Sequence, residues 1–134
     1  MISLMEHRFD FGEPGRVIIT VWGEASIEGF HAYLSEFLDD PKWQPGMDSL
    51  VDLRDLDFAD LRSAQIRALV DGQVRNKVKR GGGRAAIVVS REVAYGLVRM
   101  YAAYADQRVA LRPRVFRSYE EAHAWLDEPS ASRS

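Results

Sequence analysis

Cysteine is missing from all 134 residues. That excludes disulfides, thiolate nucleophiles and zinc–thiolate centres together, and it fits a reducing compartment. Histidine is nearly as scarce. His7, His31 and His123 fall in separate segments without metal-ligand spacing. Glu120 to His123 contains one Glu-x-x-His, which di-iron bundles use in pairs with further carboxylates. A solvated helix face explains it, and neither a metal nor a cofactor is expected. No charge of one sign dominates: 18 basic against 20 acidic residues leave −2. The chain as a whole therefore carries no electrostatic footprint for nucleic acid. No run reaches the ~20 apolar residues that span a bilayer. MISLMEHRFDF lacks the basic-then-apolar order of a secretory signal. A cytoplasmic protein is the expectation. No Gly-x-Ser-x-Gly is present, no catalytic residue stands out, and a non-enzymatic role follows.

What is present describes one soluble domain. Hydrophobic residues make up 46% and charged residues 28%, ordinary for a globular chain. HRFDF and RVIITVW read as an antiparallel hairpin turning at Pro14-Gly15. Ser26 caps a helix to about Asp39, with Ile27, Phe30, Leu34, Phe37 and Leu38 on one face and His31 beside them. DDPKWQPG breaks the chain around Trp43. SLVDL is a short buried strand. A helix runs from roughly Arg62 to Lys79 and stops at Gly81-Gly82-Gly83. RAAIVV is a strand, SREVAYGLVRMYAAYAD a helix capped by Ser90, and PRVF a strand. Ser118 with Glu121 forms a capping box for the closing helix. The expected fold is α/β: one mixed sheet of about five strands, an antiparallel hairpin followed by parallel strand–helix units, packed with about four helices. The domain spans 1–128, and 129–134 is a disordered tail.

Three constellations invite function. RNKVKRGGGR has the composition of a phosphate cradle but the wrong order, helix before glycines before strand. It reads as a flexible basic connector. Arg54 ends one strand, and Ser90 and Arg91 end another. If those strands are neighbours, Arg54, Ser63, Ser90, Arg91 and Tyr95 line one rim at the carboxyl ends, where two arginines suit an anion. Ordinary polar turns explain the same residues. Leu97, Met100, Tyr101 and Tyr104 make the 93–105 helix apolar on more than one side. They form a partner interface, a pocket wall or a well-covered core helix.

Order and spacing from DDPKWQPG and SLVDLR through AIVVSREVAYGLVRMYAAYA to VFRSYEEAHAWL resemble the SpoIIAA-like family, which is similar to STAS domains and to CRAL-TRIO lipid-binding domains. The STAS likeness implies a regulatory module that binds a protein partner or a second copy of itself, switched by serine phosphorylation after the third strand. In DLRDLDFADLRS, Asp52, Phe58 and Asp60 fit that pattern. Arg62 occupies the phosphorylated position and Ser63 the following glycine, so the switch is lost; a one-residue slip would restore Ser63. The CRAL-TRIO likeness implies a small apolar ligand held between helices and sheet.

Overall fold

Alternation of apolar side chains sets the architecture. The structure, a computed structural model, describes residues 4–13, 15–59, 61–108 and 112–129. Strands β1 (Glu6–Glu13) and β2 (Arg16–Glu24) form the antiparallel hairpin. Then follow α1 (Ile27–Leu38), β3 (Asp48–Asp57), α2 (Ser63–Arg75), α3 (Lys77–Arg80), β4 (Arg84–Val88), α4 (Glu92–Arg108), β5 (Arg112–Phe116) and α5 (Tyr119–Asp127). One sheet orders the strands β1-β2-β3-β4-β5, and every pair after the hairpin is parallel. The mixed sheet is the one expected. Among the described residues there are five helices instead of about four, because the 62–79 helix is broken. Pro14, Asp60 and the tail beyond Pro129 lie outside the described residues.

Sequential strand order has a geometric consequence. All parallel crossovers step the same way across the sheet, and right-handed crossovers then place their helices on one face. Residues of α1, α2 and α4 accordingly share a core with Val17, Ile19, Val21, Val51, Leu53, Ile87 and Val89. The intervening strand positions Leu50, Ala86 and Val88 face the other way, where Ala122, Trp125 and Leu126 of α5 cover them with Phe116. No strand order reverses, so the sheet has no topological switch point of the kind that holds nucleotides.

Two boundaries differ from expectation. Strand β3 does not stop at Leu53: Trp22, Gly23 and Glu24 go on pairing with Asp55, Leu56 and Asp57, so the charged joint is itself strand. The long helix breaks at Asn76, whose side-chain amide donates to the Gly72 carbonyl at 2.8 Å. Side chains of this type compete with helix hydrogen bonding. Helix α3 turns inward as a result. Gly81, with φ +75°, ends it.

The basic connector is not a loose solvated loop. Arg80 and Arg84 are both buried at 3% exposure. A Cβ on Gly83 would lie 2.2 Å from the Met47 carbonyl oxygen, so the glycine run packs backbone against backbone on the 45–47 loop. Trp43 is buried above it, its indole N–H donating to the Lys79 carbonyl at 2.8 Å. Arg84 ties the far face together. Its guanidinium donates to the carbonyls of Trp125, Leu126 and Glu128 and to the Asp48 carboxylate, all within 2.9 Å. It thereby caps the carbonyl end of α5 with a cation.

Candidate functional site

The rim is partly assembled. Strands β3 and β4 are neighbours, and the Ser90 hydroxyl donates to the Arg54 carbonyl at 3.1 Å. That bond spans the sheet edge. Arg54 is already paired with an acid. Its Nε and Nη2 grip both oxygens of Asp52 at 2.9 and 2.8 Å, and its guanidinium lies 4.8 Å over the Tyr119 ring. Burial raises the Asp52 pKa, but the hydrogen bonds and charge of Arg54 outweigh it, and the carboxyl titrates below its ordinary range. Arg91 is exposed. The half-buried Tyr95 ring has Arg117 at 4.2 Å, and Arg117 in turn pairs with Glu92 at 2.7 Å. Ser63 is the first residue of α2, and its side chain lies outside the description. Arg62 precedes it in extended backbone, its N–H donating to the Gln65 side chain at 2.9 Å. Two of the cations at this end, Arg54 and Arg117, are thus paired with acids, and Arg91 is exposed.

A second site lies inside. Between the sheet and α1, α2 and α4 there is a cavity of about 70 Å³. Its floor is a row of β-branched residues in register, Ile19, Val51 and Ile87, with Leu53 and Ala85 beside them. Phe30, Leu34 and Phe37 of α1 wall it, as do Ile66 and Leu69 of α2 and Leu97 and Val98 of α4. The sheet residues are buried, whereas Phe30, His31, Gln73, Leu97 and Tyr101 stay partly exposed on the helix side. Access therefore runs between helices. Leu97 and Tyr101 of the expected apolar wall line this cavity. Met100 and Tyr104 do not: Met100 is 37% exposed, and Arg67 lies 5.4 Å over the Tyr104 ring.

Polar groups converge at the end of the cavity where α3 turns in. Arg80 reaches it from α3. Its Nη2 donates to the Ser49 hydroxyl at 2.6 Å, and its guanidinium lies 5.1 Å from the Trp43 ring and 5.3 Å from the Phe37 ring. Among the described residues its Nε and Nη1 have no hydrogen-bond partner. Nor does His31 Nε2 or Gln73 Oε1. Among the described residues no carboxylate pairs with Arg80, and Asp48 gives its oxygens to Arg84. Burial lowers the Arg80 pKa to about 10, which leaves it a cation at neutral pH. Burial pushes the Tyr101 phenol up to about 12 and the Tyr33 phenol higher still, so both remain neutral hydroxyls. Arg80 and Gln73 belong to neither set of residues expected from the sequence. In the sequence Arg80 is one basic residue of the connector RNKVKRGGGR, and in the fold it lies buried at the end of α3. Among the described residues no cluster of three or more histidine or acidic side chains has metal-binding geometry.

No protein-family model matches the chain, and no curated protein matches it. A solved structure does: an uncharacterised protein of the DUF3478 family with a SpoIIAA-like fold, from Shewanella loihica PV-4. It superposes with a TM-score of 0.59 at 17% sequence identity, over 94% of this chain and 96% of that one. Near-complete coverage in both directions at so low an identity is agreement of architecture, and this chain has the SpoIIAA-like fold.

Proposed function

We propose that the protein is a non-enzymatic binding module that holds a small apolar ligand between its sheet and α1, α2 and α4. The carrying observation is the cavity of about 70 Å³, apolar on its floor and walls, with a few polar groups gathered at one end. That is the composition of a ligand site: predominantly hydrophobic lining, with sparse polar groups that fix orientation. The pairing of Arg54 with Asp52 supports the same choice, since it occupies one of the two rim arginines. The expected interface for a partner or a second copy draws less support. Among the described residues the exposed large hydrophobic side chains are Leu4, Trp22 on β2, Val78 on α3 and Met100 on α4, from separate elements. Xenon, which enters dry apolar cavities, tests the reading. Methyl NMR under xenon pressure should shift Ile87, Leu97 and Val98 selectively. Unshifted cavity methyls would count decisively against it.

A further inference from the structure

Arg80 is a buried cation with half of its guanidinium unused. Two donors, Nε and Nη1, are buried and unpartnered in a residue only 3% exposed that lines the cavity. Buried charges are ordinarily paired and hydrogen-bonded, because leaving them alone costs several kcal/mol. The stacked rings of Trp43 and Phe37 attract the cation's face but accept none of its N–H bonds. The nearby acid, Asp48, is held by Arg84. Nε and Nη1 lie on different edges of the guanidinium, each edge shared with Nη2, and either free N–H can give a carboxylate a charge-assisted bond.

We infer that the ligand is a short apolar monocarboxylate, its carboxylate accepting from a free N–H of Arg80 and its hydrocarbon against Ile19, Val51 and Ile87. This rests on the cavity reading above. Charge selects the head: the site holds one full cation, so a monoanion balances it and a phosphate dianion does not. The neutral hydroxyls of Tyr33 and Tyr101 add donors without adding charge. Size selects the tail. The space is about half the ~150 Å³ of an engineered cavity that takes benzene. Acids of about three to five carbons fit with small adjustments of the half-buried Phe30 and Leu97.

Calorimetric titration with butyrate, its uncharged isostere butyramide, and an acetate-to-octanoate series tests this. Butyrate should bind about 10- to 100-fold tighter than butyramide, the ratio a charged hydrogen bond supplies. The Arg80→Met/Ser49→Ala variant should lose that ratio while still binding butyramide. The NMR signal of the Arg80 Nε–H in the unmodified protein should move on adding butyrate, which keeps the test valid if the variant does not fold. Equal affinity for butyrate and butyramide overturns the carboxylate and leaves the cavity reading standing. Preference for butyrate that survives in the variant overturns the role of Arg80. If xenon and both ligands fail to bind, the cavity reading falls and this inference with it.

Discussion

Arg80 and Arg84 lie four residues apart, equally buried, and should respond oppositely to the same change. Arg84 ties three carbonyls and Asp48 into one network. Arg84→Met should destabilise by about 3–5 kcal/mol, because it strands a partly buried carboxylate and the end of α5. Arg80 has one hydrogen bond, to Ser49. Replacing both partners, as Arg80→Met/Ser49→Ala, removes a desolvated charge and leaves no orphan. Stability of the ligand-free protein should hold or rise by about 1–4 kcal/mol, as buried ions exchanged for apolar groups often allow. Urea melts of the two variants decide both signs. Asp52 makes a pH prediction. Its folded pKa is depressed, so its contribution is present above the unfolded value of ~3.9 and lost as pH falls through the folded one. Arg54→Ala removes the side-chain bonds and the charge, leaves burial opposed only by the backbone N–H of residue 54, and raises the folded pKa. The acid-unfolding midpoint, followed by circular dichroism, should move to higher pH.

At the scale of elements, much was legible. Period-two runs located the strands, and helical stripes located α1, α4 and α5. The caps at Ser26 and Ser118 accept the N–H groups of Gly29 and Glu121 as such residues should. What was not legible depended on neighbours. Strand β3 continues through Asp55 and Asp57 because β2 continues beside it, and no local preference of acidic residues says so. The cavity's polar end was hidden for the same reason. A cation at a helix end is favourable in water, so nothing local separates Arg80 from Lys77 or Lys79. Glycines make the point testable, since their local chemistry is identical. Gly83→Ala drives a Cβ into the backbone of Gly46 and Met47 and should destabilise by about 1–3 kcal/mol. Gly96 sits on the exposed side of α4 with nothing near its Cβ position. Gly96→Ala should stabilise by up to about 1 kcal/mol through helix propensity alone. Thermal melts that moved the same way for both would refute the packing argument.

The whole molecule divides its packing unevenly, and that asymmetry is itself a functional argument. One helix, α5, closes the far face, with Arg84 locking its end and Trp125 against Phe116 at 5.6 Å. Three helices close the near face and leave a void among them. A void forfeits dispersion contacts on every side that borders it, so a fold under selection for stability alone would fill it. Ala85 is the place to do so. It is the smallest residue of the cavity floor, and it lies on β4, a strand between β3 and β5 that is buried along its whole length. Two added methyl groups there would occupy part of the 70 Å³ and suit a strand. Ala85→Val should therefore raise the melting temperature, by an amount equivalent to about 1 kcal/mol, and abolish the stabilisation that butyrate gives the unmodified protein. Ligand linkage fixes how the two effects should appear together. Saturating butyrate at 100 times its dissociation constant should stabilise the unmodified chain by about 2.7 kcal/mol, so the variant should be the more stable protein without ligand and the less stable one with it. Melting curves of both proteins, with and without butyrate, would show that crossing, and curves that stay in the same order would mean the void is a packing defect.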